Sequence, residues 1–419
     1  MDFLYLEIAE LRGYQEVSKK IISPELTGTS SVFSIEAQPA TLNWGIISMH
    51  FFLYYILPFL VVLGVLIFFH ELGHFLTAKA FGVKVLKFSL GFGPKLIWRT
   101  MGETEYAIRF VPLGGFVKML GEDVEEEENL NLPPEDLERA FHKQPVLMRM
   151  AIVGAGPVFN LVLALITFFG LYLLSGLQVM TPEVGQVTEG SPAFEAGIRK
   201  GDMIVAIQGE QTREWAEIKG LIHDKAGQPL EIIVERANTL VSMTVTPKKT
   251  VVKNAFGEEV PSSIIGIVAA GKMVRLKMGP WGAFKEAVLA TTKWVKLTGL
   301  VIVKLFQGVI SVKTIGGPIL IGQMTGQLAE ENIGYLIPFV AIISINLAVL
   351  NLLPIPILDG GMIIFLLMEL ILRKPLSLAT REWALKIGLF LLILLMVVVT
   401  YNDLTRIELF QRLLTKIFG

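Results

Sequence analysis

The sequence predicts a polytopic α-helical membrane protein: four transmembrane helices, a membrane-associated β-hairpin region, and one inserted α+β domain outside the membrane. Three observations carry this. Of 419 residues, 53% are hydrophobic and 18% are charged, where an ordinary soluble domain has roughly 25% charged residues. The mean hydropathy is +0.59. Four segments, at about 51–76, 151–174, 335–357 and 384–401, qualify or nearly qualify for the ~20 apolar residues a bilayer demands.

Residues 1–48 are polar and mixed, without strong periodicity, and are expected to be a poorly ordered extension. They begin acidic and lack the apolar core of a signal peptide. Met49, just before the first apolar helix, is an alternative start. Residues 49–175 then carry the first two membrane helices and the loop between them. In that loop "TEYAIRFVPLGGFVKML" alternates apolar and polar residues around Pro112–Gly115 and reads as a β-hairpin, with "FGVKVLKFSLGFGPKLIW" supplying partner strands. The acidic run at 122–138 reads as a solvated loop.

Within residues 178–270, "EVGQV", "DMIVAIQG", "LEIIVER" and "SMTVTP" read as short strands and "REWAEIKGLIHD" as a helix. In the following region, 271–332, Lys285, Lys293, Lys296 and Lys304 form one stripe on an otherwise apolar helix. A spanning helix would bury those lysines, so this one is expected to lie on the membrane surface; the alternative is a soluble amphipathic helix packed on the globular domain. Residues 333–419 hold the last two membrane helices.

Basic residues set the orientation. Lys79, Lys84, Lys87, Lys95 and Arg99 follow the first segment, and Arg139, Lys143 and Arg149 precede the second; Arg373, Lys374, Arg381 and Lys386 lie between the third and fourth. Those loops are then cytoplasmic, and residues 178–332 and both termini extracytoplasmic. A net charge of -1 gives no indication of a nucleic-acid partner, and the absence of cysteine excludes disulfides, thiol nucleophiles and thiolate metal ligands. Any metal must use His, Asp or Glu.

The first apolar segment contains His70, Glu71 and His74. On a helix, residues four apart share a face about 6 Å apart along the axis, so two imidazoles can hold one metal ion with Glu71 beside it. This is the HExxH pattern of zinc peptidases. Zinc lowers the pKa of its water to about 7, Glu71 serves as general base, and coordination accounts for ionisable groups in a membrane segment. His50, His142 and His223 lie outside any such cluster. A catalytic zinc site takes a third protein ligand. Asp359 offers one: Pro354 and Pro356 break the helix before it, and Gly360 and Gly361 allow close backbone approach.

These residues resemble the site-2 protease family of intramembrane zinc metalloproteases, in its bacterial regulator-of-sigma-E branch. The matching motifs are HELGH at 70–74, GPVFN at 156–160, NLLPIPILDGG at 351–361, and FVPLGGFVKM, similar to that branch's membrane-associated β-loop. "GSPAFEAGIRKGDMIVAIQG" at 190–209 resembles a bacterial PDZ domain, so the inserted extracytoplasmic domain is expected to be PDZ-like. The resemblance spans about 49–410. It implies one Zn2+ per chain on His70, His74 and Asp359, with Glu71 as catalytic base. It makes Asn346, Asn351, Gly114 and Gly115 candidates to bind the substrate backbone, and Asn160 a polar support from the second helix. For the three asparagines, interhelical hydrogen bonding stands beside that role. Met362 replaces a histidine common after the double glycine.

The implied activity is cleavage of single-span membrane proteins inside a bacterial inner membrane, on its cytoplasmic side, after a prior outer cut; anti-sigma factors and remnant signal peptides are substrate types. The β segment at 104–119 would capture an unwound substrate by strand addition. The PDZ-like domain would gate access or bind a newly exposed C-terminus of the substrate's outer segment. An inactive PDZ-containing peptide-binding scaffold is the alternative, against which the intact HELGH and LDGG motifs argue. An aspartyl mechanism needs two membrane aspartates, and only Asp359 is placed for it, Asp403 falling at a helix end.

Overall fold

The structure, a computed structural model, describes residues 49–122, 133–254 and 256–406. The expected extension at 1–48 and residues 123–132 of the acidic run lie outside them.

The chain opens with a helix whose first part, Phe52–Ile56, is a wide π turn, continuing as α1 (Leu57–Ala80). Pro58 lacks the N–H that would bond the preceding turn, and the helix widens there. A long two-stranded ladder follows, β1 (Val85–Met101) and β2 (Thr104–Met119). Its turn is Gly102-Glu103, because Met101 pairs with Thr104. The chain reverses a second time between Ile108 and Gly115, where the sequence placed a hairpin, but the two limbs of β2 flank residues 87–90 instead of pairing with each other. Residues 87–90 partner both 115–118 and 105–108, so the ladder folds on itself and leaves 115–119 on an outer edge. The Glu103 carboxylate is held by Lys79 (2.6 Å) and by both terminal nitrogens of Arg139 (2.8 Å), which ties the turn to the end of α1.

Helix α2 (Val146–Ser175) has Pro157 inside it. Its buried positions recur at helical spacing: Arg149, Ile152, Val153, Gly156, Asn160, Leu163 and Ala164. A globular unit, 172–284, comes next. It contains β3 (Leu177–Met180), β4 (Val184–Val187), β5 (Met203–Ile207), β6 (Glu210–Gln211), α3 (Trp215–Ile222), β7 (Leu230–Arg236), β8 (Thr239–Val245), β9 (Lys248–Lys253), β10 (Glu259–Ile264), β11 (Ile267–Ala269) and β12 (Met273–Leu276). The central sheet is antiparallel in the order β6-β5-β7-β8. Val184, Ile204, Ile207, Ile218, Ile232, Val234 and Val245 form its core. Burying each such side chain stabilises the unit by about 1.5–3 kcal/mol.

The chain then runs through α4 (Pro280–Phe306), α5 (Pro318–Glu331), α6 (Leu336–Asn351), α7 (Asp359–Leu372) and α8 (Leu378–Arg406). The expected third apolar segment, 335–357, is interrupted: α6 stops at Asn351, and Asp359 begins a new helix. Pro354 and Pro356 have no N–H to continue α6. Among the described residues, four helices are long and apolar enough to cross a membrane: Met49–Ala80, Val146–Ser175, Ile333–Asn351 and Leu378–Arg406. The chain is accordingly a membrane protein with an additional β region. Residues 49–171 and 285–406 form the second unit. One of its cores joins Ala78, Val85, Phe88, Val117, Ile152, Val153 and Leu366, so α1, the β ladder, α2 and α7 pack together.

Candidate metal centre

Three elements of the second unit bring His70, His74 and Asp359 to one point. Helix α1 presents the two imidazoles from consecutive turns. The tight loop 352–358 ends at Leu358, and Asp359 is the first residue of α7. Gly360 and Gly361 make this turn possible. A side chain at Gly360 would strike the Leu352 and Leu353 backbone, and one at Gly361 would strike that of Ile355 and Pro356.

The donor atoms face each other. His70 Nε2 lies 3.2 Å from Asp359 Oδ2, His74 Nε2 lies 3.7 Å from Asp359 Oδ1, and the two Nε2 atoms are 3.3 Å apart. Tetrahedral zinc with bonds of about 2.0–2.1 Å separates its ligand atoms by about 3.3 Å, so the spacing fits. Among the described residues these three form the group able to hold a metal ion. Asp359 Oδ2 is buried with no hydrogen-bond partner among them. A buried carboxylate oxygen left bare is costly, and a cation in the cradle removes that cost.

The tautomer of His74 is set by its surroundings. Its Nδ1 is 2.9 Å from the Ile152 carbonyl of α2. A carbonyl only accepts, so Nδ1 carries the proton and Nε2 turns its lone pair to the cradle. Helix α2 also explains how two imidazoles fit side by side: at Gly156 a Cβ would run into His74 Nε2 and stand 2.6 Å from His74 Cε1 and 2.8 Å from His70 Cε1.

Glu71 is next to the cradle. The Val117 backbone amide lies close to its carboxylate, so the outer edge of β2 faces α1. Gly115 lies on that edge, and a Cβ there would come within 3.0 Å of Glu71 Cγ and 2.9 Å of an Ile67 methyl. Gly114, with φ of +128°, packs its Cα under the Phe92 ring.

The structure separates the three asparagines. Asn160 approaches His70 Nδ1 at 3.2 Å, and Asn351 approaches His70 Nε2 at 3.4 Å. Asn346 is engaged elsewhere, 2.7 Å from Thr298 on α4. That is an interhelical hydrogen bond, the alternative the sequence left open. Sequence reasoning passed over Ile152, whose contribution is a backbone carbonyl, and Thr298. The signal for Ile152 was present as spacing: Ile152, Gly156 and Asn160 are each four residues apart and share one face of α2.

Comparison with known proteins gives a consistent result. Residues 58–395 match peptidase family M50. The zinc metalloprotease RasP of Geobacillus kaustophilus is 33% identical over 423 residues, covering 84% of this chain and 98% of that one. The regulator of sigma-W protease RasP of Bacillus subtilis is 31% identical over 433 residues, with the same 84% and 98% coverage. A protein of Brucella suis biovar 1, named as a candidate zinc metalloprotease, is 36% identical over 358 residues, covering 83% of this chain and 94% of that one.

Proposed function

The chain belongs to peptidase family M50, and we propose that its zinc ion is held by His70, His74 and Asp359, with Glu71 as the catalytic base. It is a metalloendopeptidase of the site-2 protease type, and its cofactor is Zn2+. The observation that carries the residue assignment is the convergence of three donor side chains, their nearest ligand atoms 3.2–3.7 Å apart, beside a carboxylate within a helix long enough to span a membrane.

The chemistry divides between metal and chain. Bound zinc supplies Lewis acidity, polarising a carbonyl and acidifying a water. Glu71 takes the water's proton and delivers it to the leaving amine. The Val117 amide orients that carboxylate. The edge at 115–119, with Gly114 and Gly115 leaving the backbone bare, receives a locally unwound substrate by strand addition. A helical substrate hides its peptide bonds in i to i−4 hydrogen bonds, so local unwinding precedes attack. Asn351, beside the cradle, is placed to hydrogen-bond the substrate backbone near the scissile bond.

The substrates are single-span membrane proteins already trimmed outside the membrane, such as an anti-sigma factor or a remnant signal peptide. The similarity to a regulator of sigma-W protease supports the first type. The active site faces the cytoplasmic side of a bacterial inner membrane, as the basic residues flanking α1 and α2 suggest. The unit at 172–284 is then extracytoplasmic and PDZ-like, and it meets the outer segment of the substrate. Helix α4 lies on the membrane surface, with Trp281, Leu289 and Phe306 exposed for the lipid and Lys285 and Lys296 for the headgroups.

Membrane proteomics of cells carrying Glu71→Gln tests this. Single-span fragments should accumulate, with cleavage falling by about 10²–10⁴-fold, while the protein keeps its zinc. Unchanged proteolysis by that variant would remove Glu71 from the mechanism.

A further inference from the structure

We propose that Asn160 is a positioning residue for the metal: its side-chain carbonyl accepts the His70 Nδ1 proton and thereby turns the Nε2 lone pair into the cradle. This rests on the ligand assignment above. Asn160 is wholly buried in α2. One terminal atom of its amide sits 3.2 Å from His70 Nδ1, and Asn160 Oδ1, the other in the orientation drawn, has no partner among the described residues. Oxygen and nitrogen of an amide have nearly the same shape, so hydrogen-bond logic decides which is which.

A histidine that gives Nε2 to a metal is neutral and carries its proton on Nδ1. With the NH2 group on that side, two donors would face each other. With the amide turned over, N–H meets C=O. Either orientation leaves one terminal atom without a described partner, so the contact with His70 decides.

The other imidazole supports this assignment. His74 is already held by a carbonyl, that of Ile152, on its Nδ1. Ile152, Gly156 and Asn160 stand at positions i, i+4 and i+8 of α2, against His70 and His74 at i and i+4 of α1. One helix face thus supplies an acceptor for each ring and, between them, the bare Cα that lets the rings approach. The mount is stiff: Ser344 of α6, itself buried, donates to the Asn160 backbone carbonyl at 2.7 Å. Such outer partners typically contribute 10–100-fold to metal affinity.

The test is zinc affinity of the purified full chain in detergent, measured by chelator competition. Asn160→Ala and the similarly sized, acceptor-free Asn160→Leu should each bind zinc about 10–100-fold more weakly. Asn160→Asp, which keeps an oxygen against Nδ1, should return to within severalfold of wild type. Wild-type affinity in Asn160→Ala overturns the proposal, and so does an Asn160→Asp as weak as Asn160→Leu. His70→Ala separates the two levels: if it binds zinc normally, the ligand assignment itself fails. Metal-free wild type, labelled with ¹⁵N-histidine, gives a reading that needs no Asn160 variant to fold. The His70 signal, identified by its loss in His70→Gln, should show a protonated Nδ1. A ring protonated on Nε2 alone overturns the proposal.

Discussion

The two units solve opposite solvent problems with the same kinds of side chain. In residues 172–284 the interior is Ile, Val and Leu, and the charged pair Asp202–Arg236 is clamped at its margin. In residues 49–171 and 285–406 large apolar groups such as Phe390, Ile393 and Val397 face outward, while Asn160, Arg149, Ser344 and Asp403 are buried. Water drives the first arrangement. In lipid there is no such drive between helices, and close packing and hydrogen bonds hold them instead. The lesson concerns where sensitivity lies. In the globular unit it lies in apolar volume, and in the membrane unit in small residues and buried polar pairs.

The largest expected effect follows directly. Gly156→Ala adds one methyl group against two imidazoles. Helix propensity alone favours alanine by about 1 kcal/mol, so the metal-free protein should remain folded and melt no lower than wild type. Its cradle, however, must open. Displacing catalytic geometry by about 1 Å is worth on the order of 100-fold in rate, and we expect at least that loss in proteolysis, with zinc content falling in parallel. Metal analysis beside a melting curve checks both halves. A Gly156→Ala enzyme that keeps zinc and activity would show that helix contact in this unit is looser than the comparison holds.

How much of this was legible beforehand depends on the kind of signal. HELGH could be read because both imidazoles sit on one helix, where spacing alone fixes geometry. Asp359 could be read because two prolines and two glycines announce a break in an apolar run. The strands of the globular unit could be read from alternation and turn residues. The reversal near Pro112-Leu113-Gly114-Gly115 could be read from its turn composition, but the one at Gly102-Glu103 and the insertion of residues 87–90 between the two limbs could not. What holds the turn at 102–103 is Glu103 clasped by Lys79 and Arg139, residues 24 and 36 positions away. The Thr298–Asn346 pair and the Ile152 carbonyl were invisible for a related reason: one needs the packing of distant helices, and the other is backbone.

A buried ion pair in the membrane unit sharpens the comparison at an intermediate magnitude. Arg149 of α2 is bidentate to Glu369 of α7, at 2.6 and 3.2 Å, and Arg381 of α8 stands 3.4 Å from the same carboxylate. Arg149→Ala leaves the largely buried Glu369 carboxylate with only the longer Arg381 contact and should destabilise the unit by about 3 kcal/mol, the low end for breaking a buried pair. The double variant Arg149→Met with Glu369→Leu should recover most of that, because a well-packed apolar pair often replaces a buried ion pair at little cost and Arg381, 28% exposed, can turn to water when the carboxylate is gone. Unfolding in detergent measures both. Failure of the double variant to recover would mean that the charges hold α2 and α7 in register beyond their packing.

The smallest effect belongs to the corresponding pair in the globular unit. Burial alone would push the Asp202 carboxyl up, but the Arg236 guanidinium fork and the Arg199 amide outweigh it and hold it below the usual carboxylate range. A folded-state value below the unfolded one, about 3.9, stabilises fully above that pH. The contribution is lost as pH falls through the folded value. Amide exchange across 172–284 in the full chain should therefore accelerate below about pH 4. Asp202→Asn should cost about 1–3 kcal/mol near neutrality and flatten that acid dependence. Because Arg236 is 28% exposed, it can be re-solvated when its partner is removed, whereas Glu369, 11% exposed, has less access to water. If Asp202→Asn proved as damaging as Arg149→Ala, access to water would not be what separates the two units.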